Sequence, residues 1–139
     1  MKRFVLDASI ALAWFLDRPT PQYANRVRLL LLHGHRAVVP SLWQLEMANG
    51  FVVAERRGMF SSVETSEALQ QLDVVIAHSV DASLESVSMR SALQSARQFR
   101  LTAYGAVYLE TALRENLPIA TLDKQLHSAA SKAGIEVIS

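Results

Sequence analysis

The sequence predicts an α/β domain built on a parallel β-sheet with helices on both faces. Three observations lead there. Short apolar runs that read as strands alternate with stretches of ten or more residues that read as helices, the pattern of βαβ crossovers. The 139 residues are 50% hydrophobic, enough to bury a core without disulfides or a structural metal. No internal repeat, low-complexity tract or long Pro/Gly-rich linker divides the chain, so residues 1–139 are expected to form a single domain.

The elements follow in order. RFVL (Arg3 to Leu6) reads as a short strand, and the segment Ser9 to Leu16, apolar on all sides, as a buried helix. After the turn signal DRPTP a helix is expected from about Gln22 to His33, and AVVP (Ala37 to Pro40) as the second strand. A long helix follows from Leu42 to about Arg57, closed by Gly58. Ser61 or Ser62 then caps a shorter helix ending near Leu72, and DVVIA (Asp73 to Ala77) reads as the third strand. Helices are expected over Asp81 to Phe99, with Asp81 as its cap, and over Thr102 to Asn116. PIAT (Pro118 to Thr121) is a strand, Lys124 to Ala133 a helix, and IEVI (Ile135 to Ile138) a closing strand.

Composition limits the chemistry. There are no cysteines, which excludes disulfides, thiolate metal sites and cysteine nucleophiles, so a bound metal must use oxygen or imidazole ligands. The four histidines show no metal-ligand spacing beyond His33 and His35 in a turn. The net charge is only +1; the 14 basic residues comprise 11 Arg and 3 Lys, a balance that suits phosphate but also follows from codon usage. MKRFVLDAS meets Asp7 after three apolar residues, so neither a signal peptide nor a membrane span is expected, and a cytoplasmic address fits. There is no phosphate-binding glycine loop and no nucleophile elbow.

Candidate site residues stand where strands end. In an open parallel sheet ligands bind at the carboxyl ends of the strands. FVLD puts Asp7 at the tip of the first strand and IATLD puts Asp123 just past a later one. Each can also be read as a helix N-cap. In SLWQLEMANGFVVA nearly every residue from Leu42 to Ala54 is apolar except Glu46 and Asn49, which share a face at i, i+3. A carboxylate on a mostly packed helix needs an Arg partner, a wet stripe, a proton or a cation. If Glu46 leans over the same crevice as Asp7 and Asp123, the cluster suits a hard ion such as Mg²⁺ or Mn²⁺. Glu110 is expected to pair with Arg114 at i+4 and is not assigned to the site.

Four motifs in order, VLDAS, VPSLWQLEMANG, LTAYGAVYLETA and PIATLDKQL, resemble a PIN domain, most closely a VapC-type toxin of a toxin–antitoxin pair. The match spans essentially the whole chain. The resemblance implies a PIN-like three-layer fold with a central parallel sheet flanked by helices. It also implies a Mg²⁺- or Mn²⁺-dependent endoribonuclease, a homodimer, and a cognate VapB-type antitoxin. By position its metal-binding acids are Asp7, Glu46 and Asp123, with Ser9 and Thr121 as the hydroxyls that orient them and Asn49 beside Glu46. The family has a further aspartate where this chain has Gly105, which therefore looks like a vacated ligand position. Glycine in the first turn of a helix costs about 1 kcal/mol relative to alanine, and an aspartate there is favoured by the helix dipole. Close backbone packing is a second explanation for Gly105, and a change introduced or selected to tame a toxic enzyme is a third, which the sequence does not separate from natural degeneration. Two functions stay open: an impaired ribonuclease, or a catalytically inactive PIN scaffold that binds an antitoxin or RNA without cutting it.

Overall fold

A computed structural model describes residues 2–139. Four parallel strands lie in the order β3-β2-β1-β4, where β1 is Arg3–Leu6, β2 Arg36–Val39, β3 Val80–Ala82 and β4 Ile119–Ala120. Phe4, Val5 and Leu6 are all buried, as strands covered on both faces require. The helices are α1 (Ala8–Leu16), α2 (Gln22–Leu32), α3 (Leu42–Arg56), α4 (Ser62–Ser79), α5 (Met89–Phe99), α6 (Ala103–Glu115) and α7 (Lys124–Lys132). α1 packs on α2 and α3, and α6 packs on α5, α7 and β1. The result is the three-layer α/β arrangement expected from the alternation of elements. Among the described residues, no helix is long and apolar enough to cross a membrane.

The chain runs from β1 to β2 on one side and adds β4 on the other. β1 and β4 therefore flank the switch point, where the carboxyl ends of neighbouring strands leave an open crevice. Val5 pairs with Ile119 and Leu6 with Ala120, and the Asp7 N–H continues the ladder to the Ala120 carbonyl at 3.0 Å. That register brings the residues after the two strands, Asp7 and Thr121, side by side.

Several expected elements are corrected. DVVIA is not a strand: α4 runs on through it to Ser79. A capping box between Ser61 and Glu64 starts this helix, and Leu72, Val75 and Ile76 pack on the core at helical spacing, so tertiary burial overrides the β-preference of Val and Ile. The third strand lies later, with Val80, Asp81 and Ala82 paired to Ala37, Val38 and Val39. Asp81 thus sits in a strand and caps no helix. Its carboxylate takes a two-pronged bond from Arg36, at 2.9 Å from Nε and 2.7 Å from Nη2, which holds it below the usual carboxylate range. The following helix starts at Met89, capped by Ser88. The closing strand shrinks to one parallel bridge, Ile119 with Val137, flanked by backbone bonds from Ile119 to Glu136 and from Ile138 to Ile119. Glu110 does not pair with Arg114. It accepts from the Ser95 hydroxyl across α5 and α6, while Arg114 reaches Glu85 at 2.8 Å.

α3 is less enclosed than its composition suggests. Trp43, Met47, Phe51 and Ala54 form one buried stripe, whereas Leu45 is 75% exposed. Its contact with α1 is close at Gly50, where a Cβ would collide with the side-chain methyls of Leu12. This approach sets the separation between the helix that follows Asp7 and the helix that carries Glu46. A Gly50→Val variant should lose about 1–3 kcal/mol through overpacking, seen as a melting temperature several degrees lower. Adding Leu12→Ala should restore part of the loss; an unchanged melting temperature in the single variant would contradict the close contact.

Candidate active site

Asp7 is the buried centre of the crevice, only 7% exposed. It occupies the N-cap position of α1 yet makes no side-chain capping bond. Its Oδ2 instead accepts from the hydroxyls of Thr121 and Ser9, both at 2.7 Å. The Ser9 hydroxyl accepts in turn from the Leu122 N–H at 3.0 Å, and that of Thr121 from the Asp123 N–H at 2.9 Å. Each hydroxyl accepts from an amide, which can only donate, so its single proton is free to donate to Asp7. A backbone-anchored pair of donors therefore fixes the carboxylate.

Asp123 behaves differently, since it is a true N-cap. Its Oδ1 accepts from the N–H groups of Gln125 at 2.8 Å and Leu126 at 3.2 Å. The capping alternative is thus right for Asp123 and wrong for Asp7. Glu46, half-buried on α3, engages through Oε1, which accepts from the Tyr108 hydroxyl at 2.6 Å. In all three acids the hydroxyl and capping bonds fall on one oxygen, and the second oxygen stays outside this network. Asp7, Ser9, Glu46, Asn49 and Asp123 line one groove of about 330 Å³, with Thr121 buried beneath it. Asn49 makes no hydrogen bond to the acids and contributes only to the wall. A second cavity, about 320 Å³ and lined by Lys2, Arg3, Arg26 and His35 among others, opens at the opposite ends of the strands, away from the switch point.

The acids feel one another. Burial pushes the Asp7 carboxyl above its usual range, the Thr121 and Ser9 hydroxyls oppose this, and the charge of Asp123 adds to it. Burial also raises Glu46, the Tyr108 hydrogen bond opposes it, and the charge of Asp7 adds to it. The N-terminal ends of α1 and α7 both face the groove, where their dipoles favour negative charge. Such an all-oxygen donor set suits a hard divalent cation. Among the described residues no three acids or imidazoles form a ready-made metal cage. Mg²⁺ needs none, since one or two carboxylates hold it while it keeps several waters.

Gly105 is not a packing glycine. It lies in the first turn of α6, where its N–H donates to Thr102 at 3.0 Å, and its φ is not among the positive ones. A Cβ there would meet Thr102 Oγ1 at 3.5 Å and Leu101 Cβ at 3.6 Å, ordinary contact distances. A Cβ can therefore stand at residue 105 without moving its neighbours. Sequence reasoning does not single out Tyr108: a tyrosine within a helix reads as core, and only its position three residues beyond Gly105 hints at the site.

The raised Asp7 sets a pH dependence in the metal-free protein. The folded state holds this proton to higher pH than the unfolded chain does. Stability then falls as pH rises from the unfolded value near 4 through the raised folded value, and the deficit persists at neutral pH. An Asp7→Asn variant keeps an oxygen for both hydroxyls and removes the charge. In chelator at pH 7 it should melt above the parent, with the gain vanishing below about pH 4. A variant that melts below the parent at pH 7 would contradict this.

Comparison with known proteins accords with the geometry. The PIN domain family model matches residues 4–132. The crystal structure of PAE2754 from Pyrobaculum aerophilum superposes with a TM-score of 0.68 at 22% identity, covering 92% of this chain and 84% of that one. The PilT N-terminus domain protein SSO1118 from Sulfolobus solfataricus P2 gives 0.45 at 15% identity, covering 98% and 85%. No curated protein matches. With a family model spanning nearly the whole chain over a four-stranded parallel sheet, this chain belongs to the PIN domain family, a fold generally used by nucleases.

Proposed function

We propose that this chain is a VapC-like endoribonuclease toxin that works with Mg²⁺ or Mn²⁺, and that its activity is reduced because residue 105 is glycine. The observation that carries the proposal is Asp7. A carboxylate buried at the sheet switch point, fixed by two hydroxyls and sharing its groove with Asp123 and Glu46, is costly to the fold unless a cation offsets it. The reading brings with it an RNA substrate, a cognate VapB-type antitoxin, a second copy of the chain and a cytoplasmic setting.

In this reading Asp7, Glu46 and Asp123 would hold the metal. Held by these carboxylates, a divalent ion would lower the pKa of a bound water and would offset charge on the scissile phosphate and leaving oxygen. Ser9 and Thr121 keep Asp7 aimed into the groove, and Tyr108 restrains Glu46. Asp123 divides its oxygens between the first turn of α7 and the groove. Residue 105 adds no carboxylate, so the negative charge is lower than in the family pattern and cation affinity falls with it.

The missing carboxylate at residue 105 favours a second reading, a PIN scaffold that binds antitoxin or RNA without cleavage. One comparison separates the two: Mn²⁺-dependent cleavage of a mixed RNA by this chain and by Gly105→Asp, with Asp7→Asn as the blank. The Gly105→Asp variant should cut faster by about two orders of magnitude, equivalent to about 3 kcal/mol. Full turnover by the unaltered chain at physiological Mg²⁺ would contradict the impairment. Two folded but silent proteins would favour the binding scaffold.

A further inference from the structure

Tyr108 sits on α6, three residues beyond Gly105, and is 1% exposed. Its hydroxyl makes two bonds of fixed direction. The Ala8 N–H, immediately after Asp7, reaches the phenol oxygen at 3.3 Å, and that oxygen lies 2.6 Å from Glu46 Oε1. An amide can only donate, so the lone pair facing Ala8 is committed and the single phenol proton is free for Glu46. The phenol thus joins three separate pieces of chain, the β1–α1 junction, α3 and α6, at one oxygen.

Glu46 needs such a restraint. It lines the groove of Asp7 and Asp123, and it equally lines a neighbouring groove with Leu42, Leu45, Asn49 and Tyr104. A glutamate with three rotatable bonds and a choice of two grooves loses its aim unless something holds one oxygen. The buried ring of Tyr108 cannot swing to follow it. Residues 105 and 108 lie on roughly one face of α6, and with glycine at 105 the phenol is what that helix offers the acids.

We infer that Tyr108 is a positioning residue that holds Glu46 toward the groove of Asp7 and Asp123 and so sets the divalent-cation affinity of the site. The inference rests on the reading of those acids as cation ligands. Calorimetric titration with Mn²⁺ alone tests it on the parent, Tyr108→Phe, Glu46→Gln and the double variant, each checked for folding by thermal melting. Tyr108→Phe should weaken Mn²⁺ binding about tenfold. In the Glu46→Gln background the same change should have no further effect, because Tyr108 acts through Glu46. Parent-like affinity in Tyr108→Phe, or losses that multiply in the double variant, would overturn the role assigned to Tyr108 while leaving the cation site intact. Absence of Mn²⁺ binding in the parent would overturn the cation site, and this inference with it. Should Tyr108→Phe fail to fold, the near-UV tyrosine band decides. Mn²⁺ should perturb it in the parent and not in Glu46→Gln, and an equal perturbation in both would overturn the inference.

Discussion

The parallel pairing of β1 with β4 is the constraint on which the site depends. Val5 opposite Ile119 and Leu6 opposite Ala120 leave Asp7 and Thr121 at one level, within hydrogen-bonding reach. A one-residue slip would turn Asp7 to the other face of the sheet and break its bonds to Thr121 and, through Ser9, to Leu122. The apolar burial of both strands fixes the register, so the core and the site share one determinant.

Around that pairing the molecule tolerates an electrostatic conflict. Three carboxylates line one groove, and burial opposes the charge of Asp7 and Glu46. Hydroxyls, a phenol and two helix N-termini reduce the conflict without removing it. Groups that repel one another in this way lower the stability of the fold, so removing one charge from such a groove is compatible with a stable scaffold. Gly105 adds no charge to this groove: α6 keeps its Thr102 cap, and a Cβ at residue 105 would make only ordinary contacts.

Much of this was legible in the sequence because strand ends and helix starts are local signals. FVLD and IATLD marked Asp7 and Asp123, and the pairing of β1 with β4 sets the ends of these two strands side by side. The single domain-wide alternation gave the α/β class. DVVIA misled because Val and Ile favour strands locally, while Leu72, Val75 and Ile76 gain more by packing as a helix. The contrast between Asp7 and Asp123 was not readable either, since a capping aspartate and a buried one look alike in a string of letters. Tyr108 was invisible for a similar reason: its bond to Glu46 joins residues 62 apart, and its bond from Ala8 spans 100.

The proposed function depends on the groove at the β1–β4 switch point binding a divalent cation. Anomalous scattering from Mn²⁺-soaked crystals of the unaltered chain tests it most directly. A manganese peak is expected in the groove within coordination distance of Asp7 and of Asp123 or Glu46. A well-ordered groove empty of manganese at millimolar concentration, or a peak only at other surface carboxylates, would contradict it.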